Sequence, residues 1–256
     1  MNKLILSALA CPLLGGLALA DGTHGHHPEN HAVNQTGAIL SPADEAKMPA
    51  FDILAAHAHR TGNTVTFHMT TNGIAGADTP QSVGQLGGAL AYAYVWPTSL
   101  DSSAVGFDEG AGILALAAAV HPDFDDTPLF DENRDGDVAN DGQTWHSHWV
   151  VLTPTETCGP GALAVKDIPE GTNPKLPATW PGLPLLLDSP GYTPLFDGPE
   201  VTINVALPQG VDVSNVSYDG VTSALRVNEN IHAPLFCVTD VFDVASGDLS
   251  LPGELN

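Results

Sequence analysis

The chain has 256 residues, with 7 Lys and Arg against 30 Asp and Glu and a formal charge of −23. So acidic a chain does not track a phosphate backbone, which excludes nucleic acid as a partner; anionic membrane surfaces are disfavoured and divalent cations favoured. The 26 Gly and 21 Pro suit many short elements joined by turns and argue against a helical bundle, while 43% apolar residues supply a core.

Residues 1–20 read as a signal peptide: a positive start at Met1 to Lys3, an apolar run, and the small-x-small site Ala18-Leu19-Ala20. The mature chain is expected to begin at Asp21, with a lipoprotein signal ending at Cys11 as the alternative. No other stretch reaches about 18 unbroken apolar residues, so no stable membrane span is expected after cleavage. A periplasmic, secreted or cell-surface location follows. Residues 21–48 form a polar, His-rich arm carrying His24, His26, His27 and His31, a candidate low-affinity metal collector.

From residue 49 to 256 the chain reads as one all-β domain, a β-sandwich with a long Pro-rich ordered coil. Strands are predicted over residues 51–60 and 64–70, where Gly62-Asn63 makes a tight hairpin that sets His57 opposite His68 and His59 opposite Thr66. Further strands are expected at 89–96, 113–121, 146–152, 163–167, 201–207 and 233–244. The segment 110–120 is ambiguous, because its alanines favour helix while its Gly-Ala-Gly start and His-Pro-Asp stop suit a buried strand. Between Pro154 and Pro199 proline is too dense for a sheet interior, and Leu183, Leu185, Leu186 and Leu187 point to coil wrapped over the sheets.

Beyond the signal peptide two cysteines remain, Cys158 and Cys237. Exported, they read as one disulfide worth roughly 4 kcal/mol. The other reading is a thiolate metal ligand, although neither sits in a Cys-x-x-Cys spacing.

Two patterns point to cations. Asp131, Asn133, Asp135 and Asp137 alternate around Gly136, as in the first half of a calcium loop, with Asp141 and one of Asp123, Asp125 or Asp126 available to complete it. Gly142 stands where a bidentate Glu is expected, and no flanking helix is evident, so this is not an EF-hand; a solvated acidic turn is the alternative. The second pattern is histidine on strands. His57-Ala-His59 and His146-Ser-His148 each place two imidazoles on one strand face. His68, His146 and His148, completed by His57 or His121, form the candidate copper set. Ser-hydrolase, zincin, Walker and dinucleotide fingerprints are absent.

Several stretches resemble one family: Val65-Thr66-Phe67-His68-Met69, Tyr94-Val95-Trp96-Pro97, His121-Pro122-Asp123-Phe124-Asp125-Asp126, Trp145-His146-Ser147-His148-Trp149 and Thr179-Trp180-Pro181-Gly182. They are similar to the exported, copper-repressible copper-binding proteins of methane-oxidising bacteria, the CorA and MopE type, unrelated to the magnesium channel of the same short name. The resemblance implies a β-rich surface or periplasmic protein that holds copper through a few histidines, can bind calcium, and is often paired with a di-haem peroxidase. Some members carry a tryptophan oxidised to kynurenine, for which Trp145 is the nearest candidate to a histidine pair.

The leading expectation is therefore an exported copper-binding protein for copper acquisition or storage, with a structural calcium loop. The alternatives are a calcium-stabilised cell-surface structural or interaction protein without transition metal, and a mononuclear metal oxidoreductase.

Overall fold

The computed structural model describes residues 32–34 and 36–256. The expected signal peptide and His24, His26, His27 and His31 lie outside the described residues. The strands are β1 (Ala32–Val33), β2 (Ile39–Leu40), β3 (Ile53–Thr61), β4 (Thr64–Thr71), β5 (Leu90–Pro97), β6 (Ile113–Val120), β7 (His146–Pro154) and β8 (Leu163–Val165). They continue as β9 (Leu187–Asp188), β10 (Leu195–Asp197), β11 (Glu200–Ala206), β12 (Ser217–Tyr218), β13 (Val221–Val227), β14 (Phe236–Val244) and β15 (Gly253–Glu254). Among the described residues there is no α-helix, only three short 3-10 turns, and no helix long and apolar enough to cross a membrane.

One sheet runs β1-β2-β3-β4-β11-β10. The second runs β6-β5-β13-β14-β8-β7-β9, and β6 also pairs with β7. That extra pairing closes β5, β6, β7, β8, β14 and β13 into a six-stranded barrel. The domain is all-β as expected, and the second layer of the sandwich is the wall of this barrel. The predicted hairpin forms in the predicted register, His57 opposite His68 and His59 opposite Thr66, around Gly62 at φ 66°. Part of the expected arm joins the first sheet through β1 and β2, with Ile39 fully buried.

The period of two along each strand assigns residues to two cores. On β5, β6 and β7 one set (Tyr94, Trp96, Leu114, Leu116, Trp149, Val151) packs against Phe67 and Ile203 of the first sheet. The alternate set (Ala93, Val95, Ala115, Ala117, Ala119, Val150, Leu152) lines the barrel. Segment 113–120, ambiguous between helix and strand, is β6: burial on both faces removes the alternation that would have marked it. The Pro-rich coil contributes Leu185 and Leu187 to the barrel core and Leu186 to the sandwich core.

Buried polar groups pin the layers together. The Tyr94 hydroxyl donates to the Ala50 carbonyl at 2.8 Å and accepts from the Gly76 amide at 2.8 Å. Thr222 Oγ1 donates to the Phe51 carbonyl at 2.6 Å. Cys158 and Cys237 form the expected disulfide, with Cα atoms 5.5 Å apart, and tie the start of β14 to the turn after β7.

Candidate metal centre

The histidines on β6 and β7 fall on the barrel side. His121 extends the inward series Ala115, Ala117, Ala119, and His146 and His148 begin the series continued by Val150 and Leu152. In the β6–β7 ladder Ala119 lies opposite His146 and Ala117 opposite His148, which gathers the three rings at one end of the barrel. Asp126 reaches the same point from the loop after β6. The four are 0–3% exposed. One ligand atom from each lies within 4.8 Å of all the others, the only such cluster of His, Cys, Asp and Glu among the described residues.

Hydrogen bonding fixes the histidine tautomers. His121 Nδ1 donates to the Phe124 carbonyl at 2.8 Å and His146 Nδ1 to the Thr144 carbonyl at 2.9 Å. His148 Nδ1 lies 3.3 Å from the Ser189 hydroxyl. That hydroxyl donates to the Asp126 carbonyl and so accepts from the ring. A neutral ring has one N–H; where it is used at Nδ1, Nε2 is left with its lone pair facing the other rings and Asp126. His121 and His146 Nε2 are 2.9 Å apart. Asp126 Oδ1 is 3.2, 3.7 and 3.5 Å from Nε2 of His121, His146 and His148. Asp126 Oδ1 and His148 Nε2 are buried without a hydrogen-bond partner.

Donor atoms of four residues converge in a buried site, an arrangement that a cation would stabilise. Donors about 2.0–2.1 Å from a common ion stand about 2.9 Å apart at right angles and about 3.4 Å apart at tetrahedral angles. The separations of 2.9–3.7 Å given above start in that range and exceed it by about 0.3 Å, so the four residues could hold a metal ion after a small contraction. Burial alone would raise the Asp126 carboxyl, but the His148 and His121 imidazoles outweigh it and hold it well below the carboxylate range. Burial drives His148 down to about 3 against the pull of Asp126, which keeps that ring neutral. Burial pulls His121 down too, yet the charge of the Asp126 carboxylate beside it raises it overall.

The centre differs from the expected copper set in two members. His146, His148 and His121 come together as proposed. His68 and His57 do not join them: their strands place both rings on the outer face of the first sheet, separated from the centre by the sandwich core and the barrel wall. His68 pairs there with Glu200, and His57 stacks on His59 at 5.5 Å between centroids. The parity that aligned His68 with His57 was correct, but it turned both away from the core. Asp126, one of the alternatives offered to complete the calcium loop, instead joins the three histidines as the fourth member of the cluster. Its signal was its place in the loop directly after His121. Trp145 faces the opposite side of β7 from the His pair, with its Nε1 donating to the Gly76 carbonyl at 3.1 Å.

The acidic loop 131–141 buttresses the centre from outside. Asp131 accepts from the amides of Asp135 and Gly136 at 3.1 and 2.8 Å, Asn133 from Asp135 at 2.9 Å, and Asp135 from Asp137 at 2.8 Å. Asp137 accepts from Ala139 at 3.0 Å. Asp141 is fully buried and accepts from the Asn133 amide at 3.2 Å. Two bonds link this loop to the ligand loop: the Asp141 amide donates to Asp125 at 2.7 Å, and the His121 amide donates to the Gly142 carbonyl at 2.7 Å. No protein family, curated protein or solved structure matches the chain.

Proposed function

We propose that this chain is an exported metal-binding protein that holds one divalent transition-metal ion, copper by expectation, through His121, His146, His148 and Asp126. The observation that carries the reading is the convergence of three tautomerically fixed Nε2 atoms on a buried carboxylate, two of the four donor atoms having no other partner. Three imidazoles and one carboxylate, without thiolate or thioether, suit copper(II), zinc or iron, and a bound ion supplies a Lewis-acidic centre that is redox-active if it is copper or iron. Full burial suits an ion held for long periods, which favours storage over rapid delivery. The disulfide fits an oxidising compartment. The acidic loop is the calcium-binding part of the same proposal.

The test is metal analysis of protein produced without an affinity tag. One equivalent of transition metal is expected, lost in His148→Ala and Asp126→Asn and retained in His68→Ala. Calcium alone in the wild type would favour the structural cell-surface reading. Loss of the transition metal in His68→Ala but not in His148→Ala would place the site on the outer sheet face. A mononuclear oxidoreductase is the second reading, favoured by a cavity inside the barrel whose lining includes His121, Asp126 and His148.

A further inference from the structure

The inside of the barrel is not filled. A six-stranded barrel is ordinarily packed solid by its inward side chains. Here the inward positions of β5 and β6 are mostly alanine: Ala93 and Ala119 face each other across the two strands, and Ala91 and Ala117 flank them. The result is a cavity of about 90 Å³ within the barrel.

The cavity has two different ends. At one end its wall is His121, Asp126 and His148, whereas His146 does not line it and so closes the back of the centre. The two buried donor atoms without partners, Asp126 Oδ1 and His148 Nε2, belong to residues of this wall. Away from this wall the lining includes Pro97, Leu249 and, opposite Ser223, Val241; Val241 is 51% and Leu249 41% exposed, so the lining extends to the protein surface. Between the ends Ser223 is the only polar side chain in the lining. Hydrated ions are disfavoured in such a passage, because nothing replaces their water. A neutral apolar molecule meets no such penalty. Size limits it further, since an apolar cavity of about 150 Å³ holds benzene and this one is smaller.

We propose that the barrel interior is a binding chamber for a small uncharged apolar molecule of a few heavy atoms, presented to the face of the metal centre that His146 leaves open. The presentation step rests on the metal reading above; the chamber itself does not. A diatomic gas and a short hydrocarbon share the required chemistry.

The experiment uses xenon, which occupies dry apolar cavities, on the whole mature protein both metal-free and metal-loaded. Crystals under xenon pressure are expected to show the atom among Ala93, Ala117 and Val150 in both forms. Ala93→Leu or, at mid-barrel, Val95→Phe is expected to abolish it. Methyl NMR of Val95 and Val150 in the metal-free protein then separates the sources. Paramagnetic broadening under dioxygen identifies a gas chamber, shifts under ethane identify a hydrocarbon one, and no response to either overturns the proposal. Absence of xenon from the wild-type chamber, or its persistence in both filled variants, also overturns it, whether or not the protein carries metal. Xenon uptake by a protein that binds no transition metal leaves the chamber standing and removes the metal reading.

Discussion

Gly142 lies where the backbone of the acidic loop passes against the His121 ring. A Cβ at this position would stand 2.0 Å from the Phe124 carbonyl oxygen and 2.7 Å from His121 Nδ1, the two atoms that hydrogen-bond to fix that ring. Gly142→Ala must therefore move either the ligand or its anchor. It is expected to cost about 1–3 kcal/mol by overpacking and to lower metal stoichiometry, as read by urea unfolding and metal analysis of the same preparation. Nearby, burial raises the Glu132 carboxyl to about 7, and Asp141 beside it adds to the rise. The folded state thus binds this proton more tightly than the unfolded chain, whose value is 4.5. Its stabilising contribution is complete below pH 4.5 and is lost as pH rises through 7. Unfolding of metal-free protein across that window should show the wild type losing stability with rising pH relative to Glu132→Gln; parallel curves for the two proteins would refute the shift.

Two elements make the centre, the β6–β7 ladder and the loop pair that caps it. The ladder supplies rigidity, since His146 and His148 sit in a strand hydrogen-bonded on both sides and their rotamers are confined by the barrel packing. The loops supply Asp126 and close the site to water. Calcium in the 131–141 turn would join the side-chain oxygens of Asp131, Asn133, Asp135 and Asp137, which otherwise repel one another while accepting from their own amides. Chelation with EGTA is expected to lower the melting temperature of the wild type, and Asp135→Ala to abolish that response. Because Asp141 and Gly142 tie this turn to the ligand loop, chelation should also speed transition-metal release, measured as transfer to a colorimetric acceptor. An unchanged melting curve after chelation would leave the loop as an acidic turn that acts only through its own hydrogen bonds.

At the scale of the molecule, the barrel and the outer sheet form one packed unit whose contacts are mostly distant in sequence. The Cys158–Cys237 bond spans 79 residues and fastens β14 beside β8, where the ladder has a single residue pair, Cys237 with Ala164. The cross-link thus secures the weakest seam of the barrel. Replacing both cysteines by serine is expected to reduce unfolding free energy by about 4 kcal/mol, chiefly through the entropy of the unfolded chain. Guanidinium unfolding checks this, and metal retention in the same variant shows whether the seam also holds the centre together.

Local chemistry was legible in the sequence wherever a neighbour within a few residues decided the outcome. The Gly62-Asn63 turn gave the β3–β4 register residue for residue, because hairpin register follows from turn length. His146-x-His148 gave two imidazoles on one face, because strands alternate. The cysteine pair gave its bond, because the two cysteines beyond residue 20 have only each other as partner. Strand β13 was missed, since Thr222 and Ser223 are both buried and its two faces carry no contrast. What parity cannot supply is which face of which sheet lies opposite. His68 and His148 stand equally well on strands, yet one faces outward and the other into a barrel. That barrel exists only through the β6–β7 and β8–β14 pairings. The centre and its chamber are therefore tertiary properties: long-range strand pairing decided which donors meet, and the alanines that line the space acquired their meaning only once the barrel closed around them.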